Sequence, residues 1–113
     1  MVCFVSPFRR KEGNLYISKA FDDRYGIVLN IELIEYVLNK DLPFNLFISF
    51  STQEEVGLRG ITTTLSVVNP DLCIALDCSR ANPNNVGFGV LGNGVLIRYY
   101  DRAMVAFKEL LDL

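Results

Sequence analysis

Two apolar runs constrain the fold of this chain most strongly. Residues 44–50 and residues 71–77 are short, uncharged over most of their length and rich in residues that favour β-strands. Runs of this length and composition are typical of strands that are buried inside an α/β sheet. Each run leads into acidic residues, which are Glu54 and Glu55 after the first run and Asp77 at the end of the second.

A helical pattern precedes the first run. Apolar residues recur at helical spacing on one face, at Ile27, Ile31, Ile34 and Leu38. This spacing predicts a helix over residues 23–39. Asp22 or Asp23 is expected to serve as its N-cap, because carboxylates accept hydrogen bonds from the first free N–H groups of a helix.

The remaining segments give weaker signals. Residues 58–68 are ambiguous, because three consecutive threonines favour a strand, whereas flanking glycines and Asn69-Pro70 frame a short helix. The other predicted elements are strands over residues 2–5 and 15–18, a hairpin of residues 86–90 and 95–100 around Gly92-Asn93-Gly94, and a helix over residues 104–111.

Strands and helices that alternate in this way predict a parallel sheet with helices on its faces. The ends of such strands meet at one edge, so Asp22, Glu54, Glu55 and Asp77 are expected to converge there. Carboxylates gathered at one edge indicate a site for divalent metal ions. The alternative is that Glu54 and Glu55 lie in the first turn of the following helix, where acids interact favourably with the helix dipole.

Composition excludes several classes of function. The chain has 113 residues, enough for one domain, and contains no histidine, so no Ser/His or Cys/His catalytic pair can form within it. A net charge of −2 provides no basic surface for nucleic acid, and no apolar run approaches the length of a membrane span. Cys73 lies in an apolar run, as expected for a core residue in a reducing cytoplasm, and Cys78 is interpreted as structural.

Three ordered motifs resemble the glutamyl/leucyl aminopeptidase family that forms tetrahedral assemblies, whose members are often labelled endoglucanases. They are residues 19–26 (KAFDDRYG), residues 53–60 (QEEVGLRG) and residues 75–77 (ALD). The similarity extends over nearly all of the chain. It implies a three-layer α/β/α fold, with helices on both faces of the sheet. It also implies a peptidase that removes N-terminal residues from peptides.

The resemblance also implies a metal site. Family members activate a water molecule with two divalent metal ions, which are zinc, cobalt or manganese. Asp22 would bridge the two ions, Glu55 would bind one of them, and Asp77 would bind the other.

The neighbouring residues receive other roles from the resemblance. Glu54 would be the general base that takes a proton from the attacking water, and Asp23 and Arg24 would orient the ligands. Adjacent glutamates can have different roles because neighbouring side chains on an extended segment point in different directions.

The chain also departs from the family pattern. The family uses two histidine ligands and carries an inserted β-rich dimerisation domain, and neither is present in this sequence. Residues 1–113 are therefore expected to be a single partial catalytic domain that binds metal weakly. An all-oxygen site would favour Mn²⁺ or Mg²⁺ over zinc.

Two other interpretations compete with that of an enzyme. The chain could be an inactive remnant that folds and self-associates or is held by a complementary chain. Hydrolysis of sugars by two carboxylates is a further alternative, although the chain lacks tryptophan and its paired glutamates are adjacent in sequence. Beyond a peptide substrate, the expected partner is another copy of the chain, with contacts through residues 1–17 or 86–100.

Overall fold

The computed structural model describes residues 2, 4–85, 88–100, 102 and 104–112. The chain divides into two units, Met1–Cys78 and Ser79–Leu113. The first unit contains strand β1 (Arg9–Lys11), a 3-10 turn (Glu12–Asn14), strand β2 (Leu15–Ile17), helix α1 (Phe21–Val37) and helix α2 (Arg59–Val68). The second unit contains helix α3 (Lys108–Leu111).

Strands β1 and β2 form an antiparallel hairpin in which Arg10 lies opposite Tyr16. The ring of Phe8 stacks on the ring of Tyr16 at 5.5 Å, and the guanidinium of Arg10 lies over the same ring. The prediction of a strand over residues 15–18 is confirmed. The described residues of the predicted strand at 2–5 form no strand, because the partner of β2 lies at Arg9–Lys11 instead; Cys3 is outside the described residues.

Helix α1 confirms the helix predicted from the apolar spacing, although it ends at Val37 rather than at residue 39. Its first turn is irregular, since Asp22 and Asp23 have non-helical backbone angles. Oδ1 of Asp23 accepts a hydrogen bond from the N–H of Gly26 at 2.9 Å, which is the bond that an N-cap side chain forms. Gly26 is buried beneath this carboxylate, where a larger residue would collide with it.

Helix α2 resolves the ambiguity at residues 58–68 in favour of a helix. Its threonine hydroxyls donate to carbonyl groups four residues earlier, Thr62 to Leu58 (3.0 Å), Thr63 to Arg59 (3.4 Å) and Thr64 to Gly60 (3.3 Å). These bonds satisfy the hydroxyls inside the helix. Asn69 then adopts a left-handed conformation, its N–H donates to the carbonyl of Leu65, and Pro70 follows.

The strands predicted at residues 44–50 and 71–77 are not present as strands. Neither run belongs to a ladder in the described residues, and the sheet that forms is the antiparallel β1–β2 pair, not a parallel one. A strand exists only with a hydrogen-bonded neighbour, and each run lacks one here. The fold is therefore a small α/β arrangement of two strands and three helices within the part of the chain that the structure describes.

The second unit is mostly irregular. The Asn93 N–H donates to the carbonyl of Val90 (3.1 Å), which confirms a turn at the predicted position, with Gly92 and Gly94 at positive φ. The described residues of the predicted hairpin strands form no ladder with each other; Val86 and Gly87 are outside the description. Tyr100 instead bridges Val105, so the predicted helix over 104–111 begins only at Lys108.

No hydrophobic side chain among the described residues is buried. The apolar face of α1 stays open, with Ile31 47% exposed, and Phe47 and Ile74 in the two apolar runs are 64% and 77% exposed. Neither run is therefore covered as a central strand would be. None of the described helices has both the length and the apolar character needed to cross a membrane.

Candidate functional site

The first acidic segment of the candidate site lies where α1 begins. Ala20 precedes the helix in a left-handed conformation (φ 60°), and the Asp22–Asp23 peptide bond is cis. The carboxylate of Asp23 turns back to cap Gly26, as described above, whereas the Asp22 side chain is exposed. The backbone therefore presents one carboxylate to solvent and uses the next one to fix the turn.

The second acidic segment is a hydrogen-bonded turn that holds Glu54 and Glu55. The Glu54 carbonyl accepts hydrogen bonds from the N–H groups of Gly57 (3.1 Å) and Leu58 (3.0 Å). The N–H of Gly60 donates to the carbonyl of Thr52 at 3.0 Å, which closes the turn. Both glutamate side chains are exposed.

This turn decides between the two interpretations of the glutamate pair. Helix α2 begins at Arg59 and has no acidic residue in its first turn. The alternative in which Glu54 and Glu55 lie in the first turn of a helix is therefore wrong. Their carboxylates precede the helix, on a separate turn.

The third acidic segment is Asp77 with its neighbour Cys78. Oδ1 of Asp77 accepts a hydrogen bond from the backbone N–H of Cys78 at 2.7 Å. The Cys78 thiol donates to the carbonyl oxygen of Phe21 at 3.4 Å, and it also lies 3.9 Å from Oδ1 of Asp23. The end of residues 71–77 is therefore attached to the start of α1.

Glu54 experiences the negative charges of the other two acidic segments. The pKa of Glu54 is raised above its ordinary value, first by loss of hydration and then by the negative charges of Glu55, Asp77, Asp22 and Asp23. Its side chain remains exposed, so the group keeps access to water. The negative charges of all the other acids predicted for the site therefore raise the pKa of Glu54.

The pKa of the Cys78 thiol, which lies beside these acids, is raised for similar reasons. Loss of hydration, followed by the charges of Asp23, Asp22 and Asp77, raises the pKa of Cys78 above its ordinary value. A hydrogen bond to Asp23 adds to the effect. The thiol therefore remains protonated and able to donate. Sequence reasoning treated Cys78 only as structural, and its single signal was adjacency to Asp77.

The carboxylates of the candidate site are of the right chemical type to bind a divalent cation, but they are not close enough together to do so. Carboxylate oxygens are the ligands that hard divalent ions prefer. Among the described residues, however, no three His, Cys, Asp or Glu side chains lie close enough together to hold a metal ion. Arg24 lies on α1 with an exposed side chain and makes no ion pair within the described residues. The carboxylates converge without forming a complete ligand set.

Within the described residues, acids from three segments thus act electrostatically on one exposed glutamate. A sequence profile of the family described as M42 glutamyl aminopeptidase matches residues 1–113. The chain belongs to this family.

Curated relatives agree with the family. The chain is 44% identical over 90 residues to the glutamyl aminopeptidase of Lactococcus lactis subsp. cremoris (strain MG1363), an alignment that covers 79% of this chain and 25% of that protein. It is 32% identical over 116 residues to a putative aminopeptidase of Acetivibrio thermocellus, covering 100% of this chain and 34% of the relative.

A third relative is the putative aminopeptidase FrvX of Escherichia coli (strain K12), which is 33% identical over 107 residues, covering 88% of this chain and 30% of the relative. The chain thus spans about a quarter to a third of the length of these relatives. No solved structure matches it.

Proposed function

We propose that this chain is part of the catalytic domain of a metal-dependent aminopeptidase, which removes N-terminal residues from peptides. Family membership supports the reaction class. The observation that carries the proposal is the family match over residues 1–113; the pKa of Glu54, raised by loss of hydration and by the charges of Glu55, Asp77, Asp22 and Asp23, supports its role in it. A carboxylate that is exposed to water and binds its proton more tightly than usual is suited to accept one from the attacking water.

Glu54 is the general base in this proposal. It takes the proton from the water that attacks the scissile carbonyl and passes it to the departing amine. Asp22, Glu55 and Asp77 would supply carboxylate ligands to the divalent ions. Bound ions would polarise the carbonyl and acidify the water. Asp23 fixes the turn through Gly26, and the exposed Arg24 would orient the ligands, a role taken from the family resemblance.

The ligand set among the described residues is incomplete. Family membership implies divalent metal use in general, with zinc, cobalt or manganese as candidates. We also propose, from family membership, that residues 1–113 are part of one catalytic domain with a three-layer α/β/α fold. We further propose a cytoplasmic location, self-association, and no interaction with nucleic acid or membranes.

The substrate is a peptide with a free N-terminus. One relative is named a glutamyl aminopeptidase, which makes substrates with an N-terminal glutamyl residue the first to test. The second candidate function is an inactive remnant that folds and self-associates. It is favoured by the absence of histidine from the chain and of a metal-holding group among the described residues.

Hydrolysis of glutamyl-p-nitroanilide in the presence of Mn²⁺ or Co²⁺ tests the proposal. Turnover by the isolated chain is expected to be slow, since the ligand set is incomplete. Glu54→Gln should reduce turnover by roughly 10²–10⁴-fold, the usual contribution of a general base, while metal binding persists. Glu35→Gln on α1 is a matched control that should keep the wild-type rate.

Each outcome separates the candidates. Robust turnover in Glu54→Gln would remove Glu54 from the role of base. Complete absence of turnover in the wild-type chain, under conditions in which a full-length relative is active, would instead favour the inactive remnant.

A further inference from the structure

Cys78 contacts two parts of the acidic cluster at once. Its backbone N–H donates to the carboxylate of Asp77, and its thiol donates to the carbonyl of Phe21. The thiol also contacts the carboxylate of Asp23 at 3.9 Å. Cys78 therefore links Asp77 to Phe21 and Asp23, the two residues that flank Asp22 in sequence.

The connection spans a long stretch of chain. Cys78 is separated in sequence by 57 residues from Phe21 and by 55 residues from Asp23. Residues 71–77 have no backbone ladder in the described part of the chain. The side chain of Cys78 therefore supplies the hydrogen bonds that attach this segment to the start of α1.

A thiol is chemically suited to this position. A lysine or arginine would neutralise the carboxylates that the site needs, and another acid would add repulsion. A hydroxyl or thiol donates without changing the charge. The thiol is the weaker donor of the two, and its larger sulfur bridges distances of 3.4 and 3.9 Å.

We propose that Cys78 is a positioning residue, which holds Asp77 beside the Asp22–Asp23 turn. This inference rests on the proposed function, because it assigns these carboxylates to the aminopeptidase site. Cys78 touches neither substrate nor metal in this role; it acts through Asp77 and Asp23.

Three variants of the full 113-residue chain test the inference: Cys78→Ala, Cys78→Ser and the control Cys73→Ala. Cys73 lies within the same segment and is a free, exposed cysteine, so the prediction that it is a core residue is wrong. Two quantities are measured on each variant. Nuclear magnetic resonance gives the exchange rate of the Gly26 N–H, which reports whether Asp23 remains in its capping position. Water-proton relaxation gives the affinity for Mn²⁺ alone.

Cys78→Ala should accelerate exchange at Gly26 and weaken Mn²⁺ binding, each by about threefold, as expected for the loss of one weak hydrogen bond. Cys78→Ser restores a donor and should bring both quantities most of the way back to their wild-type values. Cys73→Ala should change neither. Exchange within α2 should stay constant in all three variants, which distinguishes positioning from general loss of structure.

The inference would be overturned if the Gly26 N–H of Cys78→Ala exchanged at the wild-type rate. It would also be overturned if Cys78→Ser exchanged as fast as Cys78→Ala. A wild-type chain that binds no Mn²⁺ would contradict the metal-binding part of the proposed function. The exchange rate of the Gly26 N–H would then decide by itself whether Cys78 attaches residues 71–77 to the start of α1. Failure of the proposed metal binding and failure of the positioning role therefore give different results.

If Cys78→Ala does not fold, reversible chemical modification of the Cys78 thiol provides a second test of the inference. In a chain carrying Cys3→Ala and Cys73→Ala, methyl methanethiosulfonate converts the Cys78 thiol into a methyl disulfide and removes its proton. Exchange at Gly26 should rise by about threefold and return after reduction with dithiothreitol. An exchange rate that does not respond to modification would overturn the inference.

Discussion

At the scale of single residues, the site is defined by uncompensated negative charge. The five acids of the cluster make no ion pair within the described residues, and their repulsion falls on Glu54. Like charges raise the pKa of a carboxyl group because its protonated form is not repelled. The same arrangement that opposes ionisation of Glu54 would attract a divalent cation, so one cluster suits both of the proposed roles, proton transfer and metal binding.

Replacing Asp77 should reveal this coupling. Asp77→Asn removes one negative charge while keeping a similar shape, so the pKa of Glu54 should fall toward its ordinary value of 4.5. The pKa is measured by following the Glu54 carboxyl carbon with nuclear magnetic resonance over a pH series. Asp41→Asn, which removes an acid that does not act on Glu54, should leave this pKa unchanged. An unchanged pKa in Asp77→Asn would mean that the two segments are not adjacent.

The sign of the associated stability change follows from proton linkage. The pKa of Glu54 in the folded chain is above its unfolded value, so the folded chain binds more protons between the two values. The contribution of Glu54 to the free energy of unfolding therefore falls as the pH rises above 4.5. Asp77→Asn should make this decline smaller.

At the scale of elements, the turn that carries the glutamates depends on close contact with the start of α2. Gly60 is the first residue after Arg59 in α2, and its N–H binds the carbonyl of Thr52. A Cβ atom at Gly60 would lie 2.5 Å from the carbonyl oxygen of Thr52 and 2.6 Å from its nitrogen. Both atoms belong to the backbone and cannot rotate away, so only glycine fits.

Gly60→Ala should therefore separate the glutamate turn from α2. The expected cost is about 1–3 kcal/mol of unfolding free energy, as for other overpacked sites, measured by circular dichroism during denaturation. Gly89→Ala is the matched control, because its Cβ would lie 3.9 Å from its nearest neighbour, an ordinary contact. Equal stability of Gly60→Ala and the control would show that the turn does not pack as described.

Local signals made helix α1 predictable from sequence, whereas the strands expected at residues 44–50 and 71–77 did not form. The apolar spacing of α1, the cap at Asp23, and the stop at Asn69-Pro70 act within a few residues of one another. The runs at residues 44–50 and 71–77 carry a strand signal, but a strand also needs a partner that the sequence pattern does not identify. Propensity was also misleading at the threonines of α2, whose hydroxyls bond to the helix backbone.

The candidate site was predictable in part for a similar reason. Acids placed where segments end are visible in the sequence, and the structure brings Asp22, Glu55 and Asp77 to act on Glu54. The link through Cys78 was not predictable, because it joins residues more than fifty positions apart and depends on a weak sulfur donor.

At the scale of the whole molecule, exposed apolar surface determines the behaviour in solution. No described hydrophobic side chain is buried, and both apolar runs and one face of α1 are open to water. Burial of apolar surface stabilises a fold by about 25 cal/mol per Å², and surface that stays exposed does not supply this stabilisation. Exposed apolar surface also promotes association. Hydrophobic association should respond little to salt, unlike association between charged surfaces.

The chain should therefore form a dimer or a larger oligomer, through residues 1–17 or 86–100 as the sequence predicts. The hairpin of β1 and β2 has unpaired outer edges among the described residues, which are able to accept another strand. Sedimentation equilibrium at micromolar concentration, at low and high salt, measures the state. Tyr16→Lys places a charge on β2 and should weaken association, whereas the control Tyr36→Lys on α1 should not. A monodisperse monomer that unfolds cooperatively would contradict the prediction, since it would require a buried core that closes without a partner.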